Sequence, residues 1–113
     1  MTDSAELRRQ AADARRASDA AERAARAAEP LAGYLPTLAS AIEPLIGGTA
    51  SGQDRRMLEL LQSARRDQRA ALEQCRMASR IAQAMAERLE REAREADARE
   101  AAERAAAERA QRR

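Results

Sequence analysis

Residues 45–54 read LIGGTASGQD, and this glycine-rich stretch separates two long segments with helical patterning. Glycine tolerates the backbone conformations that end a helix. Before the stretch, apolar residues recur every three or four positions, which is typical of a helix packed along another helix. The stretch therefore predicts a hinge at 47–52 in an antiparallel helical hairpin. The hinge motif comprises Leu45, Gly47, Gly48 and Gly52.

The first helix is predicted over about 4–46, with one contact stripe along it. The stripe comprises Leu7, Gln10, Ala14, Ala17, Ala21, Ala24, Ala28, Leu31, Leu35, Leu38, Ile42 and Leu45. Pro30, Pro36 and Pro44 each remove a backbone donor and crowd the preceding turn. Because the stripe keeps its phase across Pro30, we expect one helix kinked near 30–36, with two separate helices as the alternative.

The second helix is predicted from about residue 53 and contains no proline. Its stripe comprises Met57, Leu61, Ala64, Gln68, Ala71, Cys75, Ala78, Ala82, Met85 and Leu89. In a hairpin that turns near residue 50, facing residues have numbers that add to roughly 100, so this helix overhangs the first beyond about Ala96. We therefore divide the chain into a hairpin at 1–89 and a charged helical extension at 90–113, which holds seven arginines and seven acids.

The composition supports an all-α fold. Alanine, arginine and glutamate dominate, 31 of the 113 residues are alanine, and valine and phenylalanine are absent. These are strong helix formers with few strand formers among them. Alanine buries little surface, however, so the core must be thin.

The residue types argue against enzymatic chemistry. The chain has no histidine, and its lone cysteine, Cys75, has no evident base beside it. The glycine stretch lacks the lysine of a phosphate-binding loop. We therefore expect no enzyme activity, no cofactor and no metal, and we interpret Cys75 as a small buried residue, with an intermolecular disulfide as the alternative.

Charge and hydropathy restrict the partners. The only basic cluster consists of Arg55, Arg56, Arg65, Arg66, Arg69, Arg76 and Arg80. Acids are interleaved and no aromatic residue lies within the cluster for base stacking, so a solvated face is favoured over nucleic-acid binding. No run approaches the length of a membrane span, and no signal peptide is evident. We expect a chain made in the cytoplasm, with export alongside a partner as an option.

On both helices, further apolar residues flank the contact stripe on each side. The apolar surface of each helix is therefore wider than one facing helix can cover. Large apolar residues left exposed mark a binding surface, and a four-helix bundle would bury them. The partner is then either a second copy or a different helical protein. The predicted partner-binding residues are Leu31, Tyr34, Leu35, Leu38, Ile42, Leu45, Ile46, Leu58, Leu60, Leu61, Leu72, Met77 and Ile81.

The length, the hairpin pattern and the hinge at 46–54 resemble the small type VII secretion proteins of the WXG and LXG-associated superfamily, including actinobacterial ones. Leu45-Ile46-Gly47 matches their turn motif, with leucine where those families carry tryptophan. The resemblance implies dimerisation into a four-helix bundle, with a copy or a cognate chain, and a role in export. The family's export signal, a tyrosine followed four residues later by an acid beyond helix two, is missing: Tyr34 precedes Leu38 instead.

These observations predict a non-enzymatic helical interaction protein, an accessory, chaperone or targeting partner that binds the helical N-terminal domain of a larger type VII secretion substrate. The alternative is a structural homodimeric coiled-coil or scaffold protein without a secretion role.

Overall fold

The computed structural model describes residues 3–46 and 52–113, and these residues form two helices and no strand. Helix α1 spans Ser4–Ile46 and helix α2 spans Gly52–Gln111. Arg8 pairs with Asp97 and Arg15 with Glu90, so the helices run antiparallel. The chain is therefore an all-α helical hairpin, as predicted. Residues 47–51 of the predicted hinge, including Gly47 and Gly48, lie outside the described residues.

Local sequence explains how α1 begins and continues. The carboxylate of Asp3 accepts a hydrogen bond from the Glu6 N–H at 2.8 Å, which is the bond of a helix N-cap. Helix α1 then runs unbroken through Pro30, Pro36 and Pro44. Each interior proline is unfavourable by about 3 kcal/mol in an isolated helix, so packing against α2 must offset this cost.

The hairpin consists of two compact units. The terminal unit contains residues up to Asp19 together with Ser79–Arg113, and the central unit is Ala20–Ala78. Helix α1 and helix α2 each contribute to both units.

Most of the buried and half-buried residues follow an alternation of three and four along each helix, and we call these two rows the seam. In α1 the seam is Ser4, Leu7, Ala11, Ala14, Ser18, Ala21, Ala25, Ala28, Ala32, Leu35, Ala39 and Ile42. In α2 it is Leu58, Leu61, Arg65, Gln68, Leu72, Cys75, Ser79, Ala82, Ala86, Leu89, Ala93 and Ala96. Such spacing is the heptad pattern of a coiled coil, with seam positions a and d.

The predicted pairing rule holds in the buried core of the terminal unit. Leu7, Ala11, Leu89, Ala93 and Ala96 form one buried cluster. This cluster contains two pairs whose residue numbers add to 100, Leu7 with Ala93 and Ala11 with Leu89, as the rule predicts. The turn position inferred from the glycines therefore sets the register of the core.

The predicted stripes are wrong at every second position. In α1 the prediction used Ala17, Ala24 and Leu31, which are exposed, whereas the residues one position later lie in the seam. In α2 the same correction applies: the seam contains Leu58 and Ala86, whereas the predicted stripe contained Met57 and Met85. In α1 the prediction favoured larger side chains, such as Leu31 over Ala32, whereas in α2 it chose Ala64 and Ala71 over the larger Arg65 and Leu72.

Small seam residues allow the backbones to approach closely. In the terminal unit the Ser18 hydroxyl donates a hydrogen bond to the backbone carbonyl of Ser79 at 3.1 Å. A side chain with a single carbon can reach the facing main chain only when the two helices lie near each other. In the central unit the Gln68 amide donates to the Ala28 carbonyl at 3.3 Å.

The end of α2 extends beyond α1, as predicted. Ala96 is buried at the level of Ser4, the first residue of α1, and all residues from Ala98 to Arg113 are exposed. The next two seam positions carry Glu100 and Glu103, which suits a helix surrounded by water.

Candidate interaction surface

One edge of the hairpin is closed by ion pairs. In an antiparallel coiled coil, the positions that follow d, called e, face each other on one edge. Among the described residues, these positions hold three ion pairs between the helices: Arg8 with Asp97, Arg15 with Glu90, and Glu29 with Arg76. We call this edge the polar edge. In each pair the two residue numbers add to 105, so the register is the same in both units.

The pair of Arg15 and Glu90 has the most complete geometry. The Arg15 Nε and Nη2 atoms each donate to one carboxylate oxygen of Glu90 at 3.0 Å. This fork of bonds holds the pKa of Glu90 below its ordinary value, with further help from the positive charges of Arg15 and Arg94. The same hydrogen bonds raise the pKa of the Arg15 guanidinium. In the central unit, Arg76 donates to Glu29 at 2.8 Å.

The opposite edge carries almost no charge in the central unit. Positions g, which precede a, face each other there, and positions c lie beside them on the outer surface. We call these residues the apolar side: Ala20, Ala24, Ala27, Leu31, Tyr34, Leu38, Ala41 and Leu45 of α1, with Met57, Leu60, Ala64, Ala71 and Ala78 of α2. Asp67 and Gln74 are the only polar residues at these positions between Ala20 and Leu45 and between Arg55 and Ala78.

The large members of the apolar side are strongly exposed. The exposed fractions are 55% for Leu31, 60% for Tyr34, 81% for Leu45, 49% for Met57 and 70% for Leu60. With roughly 200 Å² for each fully exposed side chain, these five residues leave on the order of 600 Å² of surface in water. A monomer's largest apolar patch is usually about 300–600 Å², so the apolar side is large for a chain of this size.

The predicted partner-binding residues separate into three groups. Leu31, Tyr34, Leu45, Leu60, Met77 and Ile81 are exposed, whereas Leu35, Leu38, Ile42, Leu58 and Leu61 are half-buried and Leu72 is buried. The half-buried and buried residues other than Leu38 belong to the seam. Met77 lies on the outer face of α2, Ile81 belongs to the terminal unit, and the side chain of Ile46 lies outside the described residues. Gly52 is the first residue of α2.

Sequence reasoning assigned several members of the apolar side to the core. Ala24 and Met57 stood in the predicted stripes, and their exposure shows that they flank the seam instead. A usable signal was present in the charges. Arg8 with Asp97, and Arg15 with Glu90, pair only if those positions lie on the same edge. This placement favours a seam through Ala11 and Ser18 over the predicted stripe through Gln10 and Ala17.

The basic cluster is partly used inside the hairpin. Arg76 binds Glu29, and Arg66 donates to the Ser63 hydroxyl at 3.3 Å. Arg65 occupies a seam position, where its Nε atom is buried and makes no hydrogen bond to the described residues. Three of the seven arginines are therefore engaged in local or interhelical packing, which leaves a weaker basic surface than the sequence suggests.

Other chemistry is sparse in the described part of the chain. Cys75 is a free, half-buried cysteine at a seam position. Within residues 3–46 and 52–113, no three metal-binding side chains gather into a group. Over the same ranges, neither helix has an apolar stretch of the length needed to cross a membrane.

We compared the chain with known protein families, proteins and structures. No family model, curated protein or solved structure matches the chain. The described residues define a two-helix antiparallel hairpin that has a polar edge and, in the central unit, an apolar side.

Proposed function

We propose that this chain is a non-enzymatic interaction protein that binds helices of a protein partner on its apolar side. One observation supports this most directly: the two edges of a single hairpin differ, with ion pairs at the polar edge and exposed Leu31, Leu45, Met57 and Leu60 opposite. Two further helices laid on the apolar side would produce a four-helix bundle. Because the sequence resembles small type VII secretion proteins, we further propose that the chain has an accessory role and that its partner is a larger type VII secretion substrate.

Association should depend on the apolar side and not on exposed positions elsewhere on the hairpin. The test variant carries Leu31→Glu and Leu60→Glu, which introduce charge on both helices at exposed positions. The control variant carries Ser40→Glu and Arg66→Glu, which are exposed positions away from the apolar side. Light scattering should show assembly above 12.4 kDa for the wild type and the control, and 12.4 kDa for the test variant at unchanged helicity.

Co-expression with the product of a neighbouring gene tests the nature of the partner. Retention of a helical partner by the wild type and the control, with loss in the test variant, is the expected result for a heteromeric role. An assembly that survives Leu31→Glu with Leu60→Glu would contradict the proposal, as would a wild-type chain that stays at 12.4 kDa both alone and with the candidate partner.

A further inference from the structure

We infer that α2 carries a binding site for a phosphate group, formed by Arg65, Arg66 and Arg69 together with Gln62. The four residues belong to the central unit and line one open hollow of about 290 Å³. The hollow lies along the polar edge, away from the apolar side, so the inference is independent of the proposed function. Its basis is the set of donors in the hollow, the lack of a facing acid and one buried, unpaired N–H group.

The spacing of the four residues places them on one strip of α2. Counted from Gln62, they occupy positions i, i+3, i+4 and i+7, which are neighbours on a helix surface. All four side chains carry N–H donors, and the three guanidinium groups keep their positive charge at any ordinary pH. A single helix therefore holds three positive charges within about 6 Å along its axis.

Helix α1 offers these arginines no acid. Its residues 30–42, PLAGYLPTLASAI, contain no charged side chain. In the register of the polar edge, Arg69 lies opposite Pro36, whereas three other levels of this edge each join an arginine to a carboxylate. Asp67, the acid nearest in sequence, lies on the apolar side. Among the described residues, the three arginines of the hollow form no ion pair.

Arg65 provides a second, independent observation. It is the only charged residue of the described seam, and the register places the apolar Leu35 at its level. Its Nε–H is buried and donates no hydrogen bond to the described residues. An unpaired buried donor costs free energy, and a charge at a packed position costs more unless an opposite charge lies beside it. An anion in the hollow would supply that opposite charge.

The number of charges favours phosphate over a carboxylate. On the same edge, each ion-paired carboxylate is matched by one arginine, whereas the hollow gathers three. A phosphate group carries about −1.5 to −2 charges near pH 7 and several acceptor oxygens. Guanidinium groups bind such oxygens through short, charge-assisted hydrogen bonds.

The site is too short for a nucleic-acid strand. Glu29 lies on the polar edge beyond one end of the hollow, and Glu43 lies opposite Gln62 at the other end. A strand that continued past the hollow would bring its next phosphates towards these acids, and like charges repel. The ligand is therefore a small molecule or ion with one or two phosphate groups.

Titration calorimetry of the full chain with inorganic phosphate and pyrophosphate tests the site. The test variant carries Arg65→Met and Arg69→Gln. The control carries Arg80→Gln and Arg91→Gln, which remove two exposed arginines of α2 outside the hollow, so both variants lose two charges. The test variant should bind about ten-fold more weakly than the wild type, and the control within about two-fold. Equal weakening in the two variants, or no binding of either probe by the wild type, would overturn the site.

Acetate and duplex DNA distinguish the classes of ligand. At matched ionic strength, acetate should bind about ten-fold more weakly than phosphate because it carries a single charge. Acetate binding as tight as phosphate binding would contradict the assignment. The assignment would also fail if the wild type and the control retained duplex DNA, the test variant released it, and neither small probe bound.

Two measurements examine Arg65 itself. Without phosphate, Arg65→Met should melt at or above the wild-type temperature, because replacing an uncompensated charge by an apolar side chain is often stabilising. In nuclear magnetic resonance spectra of the wild type, the Arg65 Nε–H signal should shift on addition of phosphate, whereas those of Arg80 and Arg91 should stay in place. A lower melting temperature for Arg65→Met would show that the charge is already compensated, and an unmoved Arg65 signal at high phosphate would exclude this side chain from the site.

Discussion

At the scale of single residues, Gly33 is a site where the sequence departs from good helix design. It lies inside α1 on the exposed surface, and a Cβ atom added there would meet nothing within 4 Å. Glycine is poorly suited to a helix interior because it loses more backbone freedom on folding than other residues. Gly33 lies away from the apolar side, so a substitution there should change stability without changing association.

Gly33→Ala should raise the free energy of unfolding by about 1 kcal/mol. Urea denaturation followed by circular dichroism measures the change, and light scattering should show the mass of the wild type. A lower stability would mean that the backbone at Gly33 requires glycine.

Glu90 should contribute a defined part of the acid sensitivity. Its folded pKa lies below its ordinary value because Arg15 donates two hydrogen bonds to it. A carboxyl of this kind stabilises the fold fully above its unfolded pKa of about 4.3, and the contribution is lost as the pH falls through the lower folded pKa.

Glu90→Gln should therefore be less stable than the wild type near pH 7, with the difference disappearing as the pH falls below 4. Thermal melts between pH 2 and pH 7 measure this. Because the pair is at the surface, added salt should reduce the difference. Parallel profiles for the two proteins at all pH values would show that the ion pair has no energetic role.

At the scale of helices, adjacent alanines have opposite environments. Ala25 is buried in the seam, whereas Ala24 is exposed on the apolar side. The sequence predicted the hairpin, its register and the overhang of α2, because the glycines and the period of three and four determine these features. It did not predict the seam phase, since the row with Ala24 and Leu31 has the same spacing as the row with Ala25 and Ala32.

Glutamate at the two positions should distinguish these environments. Ala25→Glu places a charge between the helices and should cost about 3 kcal/mol or more. Ala24→Glu should change the unfolding free energy by about 0.5 kcal/mol or less when the two chains are compared as monomers, while weakening association. Circular dichroism melts measure the first effect and light scattering the second. A larger loss of stability for Ala24→Glu than for Ala25→Glu would show that Ala24, as the sequence predicted, lies between the helices.

At the scale of the whole molecule, the end of α2 is separate from the packed hairpin. Residues from Ala98 onward are exposed, and the described part of α1 begins at Ser4, which lies at the level of Ala96. The extension was predictable from its composition, because Glu100 and Glu103 occupy positions where a seam would need apolar residues.

A chain ending at Arg99 should keep the stability of the hairpin within about 0.5 kcal/mol, because all the removed residues are exposed. Urea denaturation measures this, and the helical signal should fall roughly in proportion to the fourteen residues removed. A large loss of stability would show that the extension packs on the hairpin or on a partner.

Because many seam side chains are small, the stability of the chain should be measured at several protein concentrations. Layers of alanine and serine bury little apolar surface, so the pair of helices gains modest free energy from its own core. Covering the apolar side would supply much of the remainder, and folding would then be coupled to mass action. The melting temperature should accordingly rise with each ten-fold increase in protein concentration, and the Leu31→Glu, Leu60→Glu variant should melt at one temperature at every dilution.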